Sequence, residues 1–352
     1  MAKYRVGIIG VGYRARPDGQ ARKGMAWGHG KAYAACPETE VVALADIEPA
    51  GMHQFAKDFK LKPAMYDDAK KMLKEAELDI VSICVWPHLH APMVEAAVRA
   101  EVMAIHCEKP MAPTWGEAKR MAAACAEAGI QLTFNHQRRF GHAYRKAKEL
   151  LKAGLIGELK RLEASCDNLM DWGTHWFDML NFYNDDEPVE WVLAQFDKRT
   201  DKAVFGLQHE DEAICRFQYA NGVAGYLETG PQRSLMCQNR LIGTTGTIEV
   251  GAASWADVRY RNDTTKGWQA AELPKDEEWT DDIVRAIADV VACLKSGHEP
   301  VLSARRALQA TELIFAAYES SRRHGRVDLP LDQDDSALLT MLEQGLIGPK
   351  KA

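Results

Sequence analysis

The chain has 352 residues, of which 47% are hydrophobic and 27% are charged. These fractions are ordinary for globular proteins, so they exclude a disordered chain or a fibrous repeat, and the length is enough for about two domains. Lysine and arginine number 44 against 50 aspartate and glutamate residues, and the net charge of −6 argues against general binding to nucleic acid or anionic lipid. We therefore expect a small-molecule ligand and neither a nucleic-acid nor a membrane partner.

The first third of the sequence alternates short apolar runs with amphipathic stretches. The apolar runs are typical of strands buried on both faces and lie at residues 4–9, 41–45, 80–85, 103–107 and 131–135. The stretches between them predict helices at residues 52–59, 67–74, 91–100 and 114–128. This alternation predicts an α/β fold whose first domain, residues 1–138, is a doubly wound parallel sheet.

The pattern changes after residue 138. Runs rich in β-forming residues predict an open, mostly antiparallel sheet, with strands at 160–165, 191–194, 213–219, 222–229, 240–243 and 247–250. Helices are predicted at 172–182, 281–295 and 304–324. We place an α+β domain for substrate binding and oligomerisation at residues 139–330, with helices on one face of its sheet. A partner subunit would cover the other face, which predicts a homodimer or homotetramer.

Residues 331–352 form a polar link and a short predicted helix at 336–344. We interpret this C-terminal segment either as an arm that reaches across a subunit interface or as a frayed tail.

The sequence predicts neither a membrane span nor an exported chain. No segment approaches the ~20 apolar residues of a membrane helix, and the N-terminus lacks a signal-peptide core. The eight cysteines are scattered singly, without a Cys-x-x-Cys pair or a tight Cys/His cluster. We predict reduced thiols, no metal site and a cytoplasmic location.

A glycine turn follows the first predicted strand, and a carboxylate follows the second. Gly10 and Gly12 are placed where a sharp turn brings backbone amides to a pyrophosphate, and Asp46 is placed to accept hydrogen bonds from the adenine-ribose diol. These residues predict a dinucleotide-binding Rossmann domain. Asp46 favours NAD because a carboxylate would repel the 2′-phosphate of NADP, although NADP stays an alternative.

The spacing between the glycine turn and Asp46 is unusually long. Asp46 lies 36 positions after Gly10, against ~20 in the common fingerprint, and a polar insertion at residues 13–27 accounts for the excess. Gly28 is a candidate for the missing third glycine. The insertion carries Arg14, Arg16, Arg22 and Lys23. A phosphate clamp, a lid, an interface loop and a solvated loop are all consistent with it.

Several motifs along the chain match one pattern in order and spacing. They are Trp86-Pro87-His88-Leu89-His90, Cys107-Glu108-Lys109-Pro110, Asn135-His136-Gln137-Arg138-Arg139-Phe140, Asp171-Trp172-Gly173-Thr174-His175-Trp176-Phe177-Asp178, residues 243–248 and residues 325–330. With these motifs the chain resembles the Gfo/Idh/MocA family of NAD(P)-dependent sugar and polyol oxidoreductases over nearly its whole length. Trp86 departs from the threonine that is usual in the family.

The resemblance implies three catalytic residues, Lys109, His175 and Asp171. Lys109 follows a buried strand at the carboxyl edge of a parallel sheet, where its ammonium group would stabilise negative charge on the reacting oxygen. Asp171 and His175 are four residues apart and so share one face of a helix. Histidine exchanges protons near neutral pH, so the resemblance assigns His175 as the general acid/base, with Asp171 as a substrate or proton-relay contact. Asp178, three residues further on, is expected to be structural.

The resemblance also implies the residues that surround the two ligands. The implied cofactor contacts are Gly10, Gly12, Tyr13, Arg14, Asp46, Ile47, Trp86, Pro87, His90, Glu108, Lys109 and Gln137. The implied substrate contacts are Lys109, Asn168, Asp171, Trp172 and His175. The pair His88 and His90 lacks a third metal ligand nearby, and residues 209–212 are interpreted as a solvated turn.

The leading functional hypothesis is an NAD-dependent dehydrogenase that oxidises a secondary hydroxyl of a sugar, polyol or glycoside. A second hypothesis is a glycoside hydrolase or lyase that retains its NAD and oxidises a ring hydroxyl only transiently. A third is a non-catalytic, dinucleotide-bound sensor, which the presence of both Lys109 and His175 disfavours.

Overall fold

The computed structural model describes residues 3–15, 21–255, 257–274 and 278–349. The chain divides into two compact units. The first comprises Met1–Ala112, Glu117–Gln137 and Glu278–Ala307, and the second comprises Pro113–Gly116, Arg138–Glu277 and Leu308–Ala352.

The first unit contains a six-stranded parallel sheet and a small hairpin. Its strands are β1 (Tyr4–Ile9), β2 (Tyr13–Ala15), β3 (Ala21–Lys23), β4 (Thr39–Ala45), β5 (Ala64–Tyr66), β6 (Ile80–Ile83), β7 (Ala104–Cys107) and β8 (Gln131–Phe134). The sheet order is β5-β4-β1-β6-β7-β8, while β2 and β3 pair with each other. With the hairpin set aside, this is the strand order of a dinucleotide-binding doubly wound sheet.

Five helices connect these strands: α1 (Ala26–Ala35), α2 (Pro49–Asp58), α3 (Ala69–Glu75), α4 (His90–Arg99) and α5 (Trp115–Glu127). The sequence patterns did not predict α1 or β5. Helix α1 is buried on most of its surface and contains Gly28 and Gly30, so it lacks the one-sided apolar stripe that identifies a helix in a sequence. Strand β5 has only three residues.

The second unit is built on a nine-stranded sheet. Its strands are β9 (Leu159–Cys166), β10 (Val189–Asp197), β13 (Glu212–Tyr219), β14 (Ala224–Thr229), β15 (Asn239–Gly243), β16 (Gly246–Val250), β17 (Val258–Asn262), β18 (Gln269–Ala270) and β19 (Val327–Asp328), and β11 (Ala203–Val204) and β12 (Leu207–Gln208) form a separate hairpin. The sheet order is β18-β17-β16-β15-β9-β14-β13-β10-β19. Only β9 and β14 pair in parallel within the nine-stranded sheet. The predicted fold class is therefore confirmed.

The later helices are α6 (His142–Lys152), α7 (Thr174–Tyr183), α8 (Trp279–Ser296), α9 (Ala304–Arg323) and α10 (Ala337–Glu343). Helix α8 differs from the sequence-based prediction, which placed it in the second domain. It belongs to the first unit, where Ile283, Ile287 and Val291 join a core cluster with residues of β1 and β4. A β-carbon on Gly28 would lie 2.8 Å from Ile283 Cδ1, so that glycine permits the close approach of α1 and α8.

The described part of the C-terminal segment is packed and is not a frayed tail, whereas its interpretation as an arm across a subunit interface stays a prediction. As far as residue 349, it packs on the second unit of its own chain. Arg322 forms an ion pair with Asp335 at 2.6 Å, the Gly116 amide donates to Asp334 O, and Leu338 is buried. These contacts hold the segment in place, because they pair one of its carboxylates, bond one of its carbonyl groups and bury an apolar side chain.

No helix in the described ranges is long and apolar enough to cross a membrane. All eight cysteines are unpaired in the structure.

Replacing Ile283 with alanine tests the assignment of α8. Removal of a buried isoleucine side chain should destabilise the first unit by about 2–5 kcal/mol, because it leaves a cavity against β1 and β4. Amide hydrogen exchange of the protein without dinucleotide should accelerate in β1 and β4. The control is Ile47→Ala in the same unit, because Ile47 is 85% exposed and its truncation should leave exchange nearly unchanged. Faster exchange confined to β13 and β14 would contradict the assignment.

Candidate active site

The first unit contains a cavity of about 620 Å³ at the carboxyl ends of β1, β4 and β6. Ligands of open α/β sheets bind at this edge, because the connections diverge there and leave a crevice. Among the predicted cofactor residues, the cavity is lined by Gly10, Gly12, Asp46, Ile47 and Trp86.

The glycine turn after β1 has no space for a side chain. Gly10 has a φ of +83°, and a β-carbon there would lie 2.6 Å from Val85 Cγ1 and 2.9 Å from a Cys84 backbone carbon. The two glycine amides face β4, since Gly10 donates to Ala45 O at 2.8 Å and Gly12 to Asp46 Oδ2 at 3.0 Å. The turn therefore docks tightly on the sheet, and these two amides serve that docking.

Strands β2 and β3 of the insertion pair with each other, and the chain then returns to the glycine turn. The Gly24 amide donates to Gly12 O at 2.6 Å, and a β-carbon on Gly24 would lie 3.0 Å from the carbonyl oxygens of Val11 and Gly12. Helix α1 therefore starts beside the glycine turn despite the long insertion. Gly24 provides a close approach that the sequence reasoning missed, whereas Gly28 packs against α8.

The side chains of the hairpin have different environments. Tyr13 lies against Gly51 of α2 and near Trp27, with 6.1 Å between the two ring centroids. Arg14 is exposed and pairs across the hairpin with Arg22. Arg16 lies outside the described residues.

Asp46 is oriented by the backbone around it. Its Oδ2 accepts the Gly12 amide at 3.0 Å, and its Oδ1 accepts the Glu48 amide at 2.8 Å. A carboxylate has about four acceptor positions, so two bonds leave it able to accept ribose hydroxyl groups as well. The arrangement of Asp46, the cavity and the crowded glycine turn fits a bound dinucleotide.

The segment after β6 carries the predicted contacts Trp86, Pro87 and His90. Trp86 is 55% exposed at the cavity, whereas Pro87 is buried in a short 3₁₀ helix. His90 is fully buried, with its ring nitrogens 3.1 Å from Met111 O and Val85 O, and burial lowers its pKa. His90 therefore braces two backbone segments.

Glu108 is buried immediately after β7, at the centre of a polar network. Its Oε1 lies 2.9 Å from His29 Nε2 and accepts a 2.7 Å hydrogen bond from Asn135 Nδ2. His29 Nδ1 lies 3.1 Å from Ser82 Oγ, which lies 2.8 Å from the Tyr33 hydroxyl. Sequence reasoning missed His29, which lies on α1 and has no sequence neighbour that marks it as functional.

The network determines the charge of Glu108, the residue before Lys109. Burial raises the pKa of Glu108, but the hydrogen bonds from His29 and Asn135 and the Lys109 charge outweigh it and lower the pKa to about 2. The Lys109 amide lies 3.3 Å from Glu108 Oε2, and the Lys109–Pro110 peptide is cis. Gln137 is buried, and its Oε1 has no hydrogen-bond partner within the described part of the chain.

The predicted substrate residues of the second unit lie on one continuous segment. Asn168 Oδ1 accepts the Asp171 amide at 2.6 Å and caps a π-helical turn, Leu169–Gly173, that leads directly into α7. Asp171 and His175 are buried, and Trp172 is partly exposed. Asn168, Asp171, Trp172 and His175 thus lie on one continuous helical segment.

Two buried carboxylates secure this segment. Asp178 is 2.9 Å from Arg139 Nε, in agreement with its expected structural role. Glu210 accepts the Leu169 amide at 2.6 Å and the Tyr318 hydroxyl at 2.7 Å. The interpretation of residues 209–212 as a solvated turn is therefore wrong, because Glu210 is fully buried and holds the start of the π-helical turn.

No group of three potential metal ligands occurs within the residues that the structure describes. His88 is exposed, while His90 faces two carbonyl oxygens.

The sheet order, the glycine turn and the carboxylate after β4 are those of a dinucleotide-binding protein. Comparison with known sequences specifies the class. The family described as "Oxidoreductase family, NAD-binding Rossmann fold" matches residues 4–136, and its C-terminal alpha/beta domain matches residues 148–329. The chain therefore belongs to the Gfo/Idh/MocA family of oxidoreductases. It is an oxidoreductase whose first domain is an NAD-binding Rossmann fold.

Individual relatives resemble the chain over nearly its full length. It is 26% identical to D-apiose dehydrogenase of Paraburkholderia graminis, over 98% of this chain and 95% of the relative. It is 21% identical to myo-inositol 2-dehydrogenase of Thermotoga maritima, over 92% of this chain and 98% of the relative. Levoglucosan dehydrogenase, solved in complex with NADH, has the same fold, with a TM-score of 0.78, 21% identity and coverage of 93% of this chain and 99% of that one.

Replacing Glu108 with glutamine tests the buried network. The folded-state pKa lies below the ordinary value of 4.5, so the ionised group stabilises the fold above about pH 4.5 and loses this effect as the pH falls toward about 2. Urea unfolding at pH 7 should show a loss of roughly 3 kcal/mol in Glu108→Gln, and the difference from the parent should shrink below pH 4.5.

The matched control is Glu95→Gln on α4, since Glu95 is exposed and should follow the parent at every pH. A difference between Glu108→Gln and the parent that stays constant from pH 7 to pH 3.5 would contradict a lowered Glu108 pKa.

Proposed function

We propose that this protein oxidises a secondary hydroxyl of a sugar, polyol or glycoside, with NAD as hydride acceptor and with Lys109 and His175 handling the hydroxyl proton. The observation that carries the proposal is the Glu108-Lys109-Pro110 segment, held at the carboxyl end of β7 by a buried, ionised network. The names of the apiose, inositol and levoglucosan dehydrogenases support this substrate class.

Each residue has a defined part in the proposed reaction. His175 accepts the hydroxyl proton, and the Lys109 ammonium group stabilises the negative charge that develops on the same oxygen. Asp171, one helical turn before His175, binds substrate or relays the proton. Bound NAD⁺ supplies the acceptor for the hydride that leaves the carbinol carbon, so the alcohol becomes a ketone.

Gly10, Gly12, Asp46, Ile47 and Trp86 line the cavity, which fits the adenosine side of the cofactor. Pro87, Glu108, Lys109 and Gln137 are further proposed contacts. Tyr13, Arg14 and His90 stay predicted contacts. We also propose a homodimer or homotetramer that forms through the open face of the nine-stranded sheet. That face exposes 47% of Leu193 and 57% of Ile214, which is apolar surface that a second subunit would bury. The cytoplasmic location stays a prediction.

The function is tested by NADH formation with a panel that includes D-apiose, myo-inositol and levoglucosan. With any substrate that reacts, Lys109→Ala and His175→Ala should each lower kcat roughly 10²- to 10⁴-fold, because each removes a group that acts on the reacting oxygen. The controls Lys74→Ala and His53→Ala remove the same side chains at exposed positions and should retain full activity.

Two outcomes would contradict the proposed reaction. Unchanged kcat in both Lys109→Ala and His175→Ala would remove these residues from the chemistry. Cleavage of a glycosidic bond without net NADH formation would instead indicate the NAD-retaining hydrolase or lyase.

Cofactor preference is tested at Asp46. Fluorescence titration should show tighter binding of NADH than NADPH, because the Asp46 carboxylate repels a 2′-phosphate. Asp46→Asn should reduce this preference roughly tenfold, since it removes the charge and keeps an acceptor oxygen. Glu75→Gln, at an exposed position on α3, serves as the charge-matched control. Tighter binding of NADPH by the parent protein would contradict the assignment.

A further inference from the structure

Arg138 is a buried cation in an aromatic cage within the second unit. Only 7% of the residue is exposed. The guanidinium carbon lies 4.6 Å from the Trp255 ring centroid, 4.7 Å from that of Trp176 and 5.3 Å from that of Trp172. The Tyr144 ring lies 6.0 Å away, and its hydroxyl accepts a 3.1 Å hydrogen bond from Arg138 Nη1.

The charge of Arg138 is not matched by a carboxylate in the part of the chain that the structure covers. Its Nε is buried and has no hydrogen-bond partner there. The next residue behaves differently, because Arg139 pairs with Asp178 at 2.9 Å and with Asp186 at 2.7 Å. A buried guanidinium keeps its proton, and burial of an unpaired charge is unfavourable, so Arg138 lacks a counter-charge that Arg139 has.

Most of the hydrogen-bonding capacity of Arg138 is unused among the described residues. Aromatic rings interact with the faces of a planar guanidinium group, while its N–H donors point outward in the plane. A guanidinium has five N–H donors, and the described residues accept one of them. The unused in-plane donors match the two oxygens of a carboxylate.

The cage also lies beside the predicted acid/base pair. Trp172 directly follows Asp171, and Trp176 directly follows His175. The two aromatic residues that stack on Arg138 are therefore one residue along the helix from the two residues proposed to handle the hydroxyl proton. A ligand of Arg138 would therefore bind against the helical segment that carries His175.

We infer that Arg138 binds a carboxylate of the substrate, so that the substrate class is a sugar acid or polyol acid. This inference rests on the proposed dehydrogenase function and specifies its substrate. A carboxylate fits better than a phosphate, because phosphate sites combine several cations or a helix N-terminus, and here one guanidinium supplies the charge.

The test compares acids with neutral compounds in which a –CH₂OH group replaces the carboxylate. The pairs are D-gluconate with D-glucitol, D-galactonate with galactitol and D-glucuronate with D-glucose, and D-glucitol 6-phosphate is added. With NAD⁺ saturating, we expect kcat/KM for at least one acid to exceed that of its partner roughly 10- to 100-fold. Arg138→Gln should reduce this ratio toward one by raising KM for the acid, and Arg138→Lys should give an intermediate ratio.

Arg145→Gln is the matched control, because Arg145 is an exposed arginine on α6 and its loss should leave the ratio unchanged. The inference is overturned if the parent prefers no acid over its neutral partner, if it prefers the phosphate, or if Arg138→Gln retains the acid preference. Should the Arg138 variants fail to fold, the kcat/KM ratio of acid over neutral partner in the parent protein decides whether the inference holds.

A failure of the proposed function is distinguishable from a failure of this inference. If no compound yields NADH, the dehydrogenase proposal fails, and equilibrium dialysis of radiolabelled D-gluconate against the NADH-bound protein tests Arg138 directly. Binding by the parent that is lost in Arg138→Gln supports the carboxylate site, and absence of binding by the parent overturns it.

Discussion

The buried carboxylate of Glu108 is the group on which the proposed active site depends. A charge removed from water must be paired or hydrogen-bonded, and His29 from α1 and Asn135 from the end of β8 meet this requirement. Three separate elements are thereby tied to the residue that precedes Lys109. The backbone that leads into Lys109 is thus anchored by a polar contact in the core of the sheet.

In the second unit, buried hydrogen bonds likewise hold the segment that carries the proposed acid/base residues. Glu210 holds the first amide of the π-helical turn, Asn168 holds the amide of Asp171, and Arg139 holds Asp178 further along α7. The segment that carries Asp171 and His175 is therefore fixed at both ends by buried hydrogen bonds. Arg138 is the exception, since it is buried without a counter-charge among the described residues, and that exception leads to the inferred carboxylate substrate.

Sequence patterns predicted the structural features and site residues that are marked by their near neighbours in the chain. The parallel strands, the glycine turn, Asp46 and the motifs around Lys109 and His175 all have short-range signals. The patterns failed where burial depends on distant partners: α1 is buried on most sides, α8 packs on the first unit through Ile283, and Glu210 is a core residue within an acidic run. The pairing of His29 with Glu108, which are 79 positions apart, has no signal in a single sequence.

The central claim, hydride transfer from a carbinol carbon to nicotinamide, is tested most directly with an isotope. The panel substrate that forms NADH fastest is prepared with deuterium at its carbinol carbons and incubated with NAD⁺. The account predicts that proton NMR of the reduced cofactor shows one deuterium at C4 of the nicotinamide ring. Product formation with unlabelled cofactor, or with the deuterium released to water, would contradict it.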